Sequence, residues 1–431
     1  MAKKPARMWL RRLSPVVFGL VFSSALVQAA SLPAARPADV GLSSERLARL
    51  SQVMQDYVDR GRVAGIVALV IRDGRVAYLR PFGKLDLTTG APLPADAIFR
   101  IASQTKAVTS VAVMMLQEEG KLLIDDPVSK YIPEFAKTTV AVQAEGQEAK
   151  GYTVVPAKRP ITIRDLLTHT SGISYGYGPA KDAYEAVKIQ GWFLADKPEP
   201  VGEVIKKLAG LPFDAQPGEQ FIYGYNTDVL GYLVERVSGM SLAEFFAKRI
   251  TGPLGMTDTH FFLPAEKLDR FTSAYGYDEK GALKRMEDAR DNFYMKGPRA
   301  CYAGGAGLLS TAEDYGRFLL CLLNGGELNG VRLLSPKTVE LMTVNHVGDR
   351  HGTDGFGLGF WVAERLGVNG KPGSRGSFGW GGAYHTVYWV DPAEKMVALL
   401  MTQLLPADGS DLHGKFRSLV YSAITTSYEN K

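Results

Sequence analysis

Ser103 and Lys106 stand three residues apart in the stretch Ile101-Ala102-Ser103-Gln104-Thr105-Lys106, which opens an apolar run expected to be helical to about Gly120. Residues three apart share a helix face, so this spacing sets a hydroxyl one turn from an amine. Serine is a poor nucleophile at neutral pH unless a neighbouring base takes its proton, and a desolvated lysine is such a base. The chemistry this pair could do is acyl transfer through an acyl-serine. A serine there also caps a helix well, so the pair needs support from the rest of the chain.

A second serine competes with it. Gly172-Ile173-Ser174-Tyr175-Gly176 matches the Gly-x-Ser-x-Gly nucleophile elbow letter for letter. That elbow works as a strand-to-helix turn, whereas here a helical pattern precedes it and a glycine-tyrosine loop follows. A Ser-His-Asp enzyme would draw its base from His260, His346, His351, His385 or His413, none of which spacing excludes. A Ser-Lys enzyme needs none of them. His346 and His351, with Asp349 and Asp354, lack the spacing of a helical metal-ligand pair, and a polar loop with no metal is expected there. Further along, Tyr223 and Tyr225 stand at a helix entrance, where a phenol near a protonated lysine can relay protons. Gly379-Trp380-Gly381-Gly382-Ala383 lies where a strand begins; glycines there admit a substrate to the backbone, and a strand-edge N–H can serve an oxyanion hole.

The elements that must position these residues follow from pattern. Ser43-Ser44 caps a helix with Leu47, Leu50, Val53 and Tyr57 on one face. Val63 to Ile71 and Val76 to Phe82 alternate or run apolar around Asp73-Gly74, a hairpin signal. Helical patterns occupy Ile163 to His169, Asp228 to Gly239, Leu242 to Ile250 and Thr311 to Leu323, and a closing helix starts near Asp411. Thr138 to Pro160 is a polar loop or ribbon. Strand patterns return at Gly355 to Val362, Ser377 to Gly382, Ala383 to Val390 and Met396 to Leu404. Strands thus cluster at both ends and helices fill the middle. The expected fold is α/β of the α+β type: an antiparallel sheet built from both ends, flanked by helices, with a mainly helical subdomain inserted. The division reads 1–29 leader, 30–130 first part of the α/β domain, 131–300 helical subdomain, 301–431 second part.

The leader is read from Lys3, Lys4, Arg7, Arg11 and Arg12, the apolar run Leu13 to Val27, and the small-residue site Val27-Gln28-Ala29, with cleavage expected after Ala29. Periplasmic or secreted placement follows, with no membrane attachment afterwards. The whole chain has 50 basic and 45 acidic residues, and the leader holds five of the basic and none of the acidic, leaving 45 of each. Nothing in that balance calls for a nucleic-acid partner. Cys301 and Cys321 are the only cysteines, and pairing or two buried thiols are both open.

Taken in order, Ser103-Gln104-Thr105-Lys106 with Glu118-Glu119-Gly120-Lys121-Leu122 and Asp125-Asp126-Pro127-Val128, then Leu166-Leu167-Thr168-His169-Thr170-Ser171-Gly172, Pro217-Gly218 with Tyr223, and Trp380-Gly381-Gly382 before Trp389-Val390-Asp391-Pro392, resemble the serine β-lactamase-like superfamily. Family VIII carboxylesterases, relatives of class C β-lactamases and D-alanyl-D-alanine peptidases, are the nearest in look. The resemblance implies Ser103 as acylated nucleophile, Lys106 as its base, Tyr223 as proton relay, and the N–H groups of Ser103 and Ala383 as oxyanion hole. It implies no cofactor. Two departures stand out: Tyr225 occupies the place of asparagine in Tyr-x-Asn, with Asn226 one residue late, and Trp-Gly-Gly replaces Lys-Thr-Gly. A tryptophan there suits a neutral ester better than a carboxylate-bearing antibiotic. The expected activity is hydrolysis of small carboxylic esters of short or medium acyl chain; the alternatives are a β-lactamase or D-amino-acid peptidase on the same machinery, or an acyl-binding sensor that does not turn over. Tyr175, Tyr177, Trp192, Phe193, Tyr225, Asn226 and His385 are candidates for the substrate pocket. The oligomeric state is left open.

Overall fold

The computed structural model describes residues 1–2, 31–143, 151–286, 292–407 and 409–428. Residues 3–29 of the expected leader and its cleavage point after Ala29 lie outside the described residues, as does the centre of the Thr138 to Pro160 excursion.

Seven strands form the main sheet: β1 (Gly65–Arg72), β2 (Arg75–Gly83), β3 (Gly355–Phe356), β4 (Trp361–Val362), β5 (Phe378–Gly382), β6 (Thr386–Asp391) and β7 (Met396–Met401). They lie in the order β3-β4-β5-β6-β7-β1-β2, every neighbour antiparallel. The two ends of the chain meet at β1 and β7, where Val67 faces Met401 and Arg72 faces Met396. Both strands are buried along their whole length, which is why they read as unbroken apolar runs. Between β1 and β2, Asp73 and Gly74 take φ of 50° and 72°. That left-handed pair matches the strand twist and is what Asp-Gly supplies cheaply.

Seven helices matter for the site: α1 (Ser44–Asp59), α2 (Thr105–Glu118), α3 (Ile163–Leu167), α4 (Val201–Ala209), α5 (Asn226–Ser238), α6 (Ala312–Leu323) and α7 (Leu412–Ser422). Alternate residues of β1 serve opposite faces, as the pleat requires. Ile66, Ala68 and Val70 pack with Leu50 and Met54 of α1 and Phe416 of α7. Val67, Leu69 and Ile71 join the larger core containing α2, α5 and α6. Every residue of α2 from Thr105 to Leu116 is buried, so this helix runs through the centre of that core rather than along its surface. Sheet and helices therefore form the expected antiparallel α+β arrangement.

Local departures from the expected elements have local causes. Gly355 to Val362 is a hairpin of two short strands, because Gly357 and Gly359 interrupt the run. Leu242 to Ile250 is α-helical only to Phe246 and continues as a π turn over Ala247–Thr251. The ribbon pairs Thr139–Gln143 with Tyr152–Pro156. Cys301 and Cys321 are free, buried thiols in the large core, and burial pushes Cys321 up to about 12. Among the described residues no helix is long and apolar enough to cross a membrane, and no three His, Cys, Asp or Glu side chains cluster as metal ligands would.

Candidate active site

Ser103 sits where β-structure hands over to α2. Phe99–Arg100 pairs with Leu309–Ser310, a short 3-10 turn spans Ala102–Gln104, and α2 follows at once. Ala102 has φ of 42°, a left-handed conformation that costs an alanine energy and is held here by burial on all sides. Ser103 is the one residue from Ile101 to Leu116 that is not fully buried. The turn thus lifts one hydroxyl out of an otherwise closed core.

Lys106 is 2% exposed, and three contacts surround its Nζ. It lies 3.3 Å from Ser103 Oγ, 3.1 Å from the Tyr175 hydroxyl and 2.7 Å from the Gly305 carbonyl oxygen. The carbonyl can only accept, so one N–H is committed to it. Burial, with Tyr223 and Asp228 close by, pushes Tyr175 well above its ordinary range, and it stays a neutral phenol. With Gly305 and Tyr175 taking two of its hydrogen-bonding positions, Nζ turns the remaining one to Ser103 Oγ. That is the orientation a general base needs.

Tyr223 completes the group from the loop before α5. Its ring lies 4.8 Å from Lys106 Nζ, and its hydroxyl accepts from Trp380 Nε1 at 3.0 Å. An indole N–H donates only, so Trp380 fixes the phenol by a contact that cannot reverse. Behind it packs His169, ring centroids 4.7 Å apart, and burial first, then the Lys106 charge, holds this histidine well below its usual value. His169 serves as a neutral wall.

The end of β5 closes the other side. A Cβ on Gly382 would stand 2.3 Å from the Ile101 carbonyl oxygen, and Ala383 packs with Ala102 and Tyr384. This brings the Gly382–Ala383 backbone alongside the turn that carries Ser103. Gly382→Ala is accordingly expected to lower the melting temperature, by a loss of about 1–3 kcal/mol from overpacking, while Gly381→Ala, whose Cβ would meet Thr386 O at 3.1 Å, is expected to cost much less. Thermal denaturation of the two variants checks the pair.

The remaining candidates divide. Trp192 and Tyr177 line a cavity of about 360 Å³ with Phe193 and Tyr384, next to the Ser103 turn through Ala102. Tyr175 belongs to the Lys106 shell itself. Tyr225 is buried, and its hydroxyl donates to the carbonyls of Ile189, at 3.0 Å, and Gly191, so it ties the aromatic loop down. Asn226 is also fully buried: Nδ2 reaches His169 Nδ1 at 3.0 Å and the carbonyls of Ile173 and Ile222, while Oδ1 accepts from Ser171. His385 lies in the β5–β6 turn with φ of 65°, stacked 3.8 Å from His413 and bonded to Ser410 at 3.0 Å. These three shape the walls from behind.

Ser174 follows α3 through a loop, and its hydroxyl accepts from the N–H of Gly176 at 3.1 Å. Among the described residues no histidine is hydrogen-bonded to it or to Ser103. Ser174→Ala is expected to leave ester turnover largely unchanged in a steady-state assay. Two features were not singled out from sequence: the Gly305 carbonyl, 199 positions from Lys106, and the hydroxyl contact of Tyr175. The glycine cluster at Gly304-Gly305 was a visible signal without a visible partner.

The β-lactamase family model matches residues 50–420. The chain belongs to the β-lactamase family. Relatives within it include protein Rv1367c of Mycobacterium tuberculosis, 36% identical over 82% of this chain and 89% of that protein, and esterase EstB of Burkholderia gladioli, 32% identical over 82% and 90%. Among solved structures, EstCE1, described as a hydrolase with promiscuous acyltransferase activity, superposes with a TM-score of 0.75 at 27% identity, covering 87% of this chain and 98% of its own. In this β-lactamase-family chain the strand motif carries an indole where the sequence comparison above places lysine, and that indole is spent on Tyr223.

Proposed function

We propose that this serine hydrolase of the β-lactamase fold is an exported carboxylesterase of the family VIII kind, cleaving esters of short or medium acyl chain. Ser103 Oγ attacks the ester carbonyl as Lys106 Nζ takes its proton, forming an Oγ–C bond and a tetrahedral oxyanion. The N–H groups of Ser103 and Ala383 stabilise that charge. Collapse breaks the bond from carbon to the alcohol oxygen, and a proton passed through Tyr223 leaves with the alcohol. Water then adds to the acyl-serine, gives its proton back through the same groups, and releases the carboxylic acid and free Ser103. No cofactor takes part.

The observation that carries this reading is Lys106 Nζ at 3.3 Å from Ser103 Oγ with its other partners already assigned. Trp380 favours an ester over a β-lactam or a peptide ending in a carboxylate, because an indole offers no charge to pair with one. The name of the relative esterase EstB points the same way. The test compares purified protein on nitrophenyl esters of graded chain length, a chromogenic cephalosporin and a D-alanyl peptide. Ester turnover dominating by orders of magnitude is expected; a preference for either amide would replace the reading, and a stoichiometric burst without steady turnover would mark an acyl-binding protein. Export is supported by the basic and apolar segment before Ala29, and N-terminal sequencing of protein recovered from the periplasm or medium is expected to begin at Ala30.

A further inference from the structure

The Gly305 carbonyl that accepts from Lys106 Nζ is itself held from the opposite side. The N–H of Gly305 donates to Asp228 Oδ1 of α5 at 2.9 Å, and Thr109 Oγ1 of α2 donates to the Gly304 carbonyl at 2.8 Å. The two glycines are clasped between α2 and α5, and only glycine fits. A Cβ on Gly305 would stand 2.4 Å from Asp228 Oδ2, and one on Gly304 would stand 2.7 Å from the Thr227 carbonyl oxygen.

Asp228 is 1% exposed, and among the described residues its buried Oδ2 has no hydrogen-bond partner. A carboxylate placed so is costly unless an opposite charge answers it. Burial pushes this carboxyl up to about 6 against the pull of Lys106, the cation that acts on it. Among the described residues Asp228 also acts on Tyr175, Tyr225 and Cys301: burial drives all three upward first, followed by Tyr223 and then Asp228 for Tyr175 and by Asp228 for the other two, so they stay neutral near pH 7.

We propose that Asp228 is a positioning residue for the reaction: it holds the Gly305 carbonyl that orients Lys106, and its charge sets how readily Lys106 gives up a proton. This rests on Lys106 being the base of the proposed esterase. Asp228→Asn keeps an acceptor for the Gly305 N–H and removes the charge. Without the carboxylate the conjugate acid of Lys106 is less stable, so the acid limb of kcat/KM for a nitrophenyl ester is expected to move to lower pH by roughly one unit. Asp228→Ser, which also lacks the charge and only leaves space, is read the same way should the asparagine variant not fold. A folded variant whose acid limb stays in place, whether kcat falls or not, overturns the proposal, since a purely structural role changes rate without moving the limb. Failure of the underlying reading is separate: it would appear as a Ser103→Ala protein that still turns over ester, whatever the pH profile.

Discussion

Ser103→Ala is expected to reduce ester turnover by roughly 10⁴-fold or more and to abolish labelling by a serine-directed phosphonate. The side chain removed is one hydroxyl at the only opening in a buried stretch, so folding should be unaffected and the melting temperature should stay near that of the parent. Intact-mass measurement after phosphonate treatment gives a second reading, one adduct on the parent and none on the variant. Retained turnover would return attention to Ser174, whose loop setting is otherwise unsuited to a nucleophile elbow. The strained φ of 42° at Ala102 is consistent with a turn built to present this hydroxyl.

Lys106→Met and Lys106→Arg should both lose about 10²- to 10⁴-fold in kcat, the range a positioned general base supplies. Methionine fills much of the same space but leaves the Gly305 carbonyl without its donor, at a stability cost of about 1–3 kcal/mol. Arginine restores donors and charge, yet a guanidinium does not release a proton in a protein. If positive charge near Ser103 were all that Lys106 provides, arginine would recover much of the rate. Steady-state kinetics of the two variants beside their melting temperatures separate these roles.

Much of the fold was legible because it rests on short-range patterns. Asp73-Gly74 predicts a hairpin through its own backbone preferences, and the helical spacing of Leu47 and Leu50 predicts which side of α1 is buried. The Ser103–Lys106 pair was visible for the same reason, being a single turn of chain. The place of Tyr225 was harder: as a phenol at a helix entrance it looked like part of the pocket, and it instead anchors the loop at Ile189 and Gly191. Asn226 likewise ties His169 to Ile173 from a fully buried position.

By itself the sequence determined the Ser103–Lys106 spacing, the hairpin, the order of strands and helices and the motif series that marks the family, because each depends on residues near one another or on their order. The tertiary structure decided which phenol touches Lys106, which carbonyl orients it and what Trp380 does. Tyr175 lies 69 positions from Lys106, Gly305 lies 199 away, and Trp380 stands 157 from the tyrosine it holds. Contacts over such separations are set by how α2, α5 and the sheet pack, and a hydrogen bond a few ångströms long is chosen only once that packing is complete.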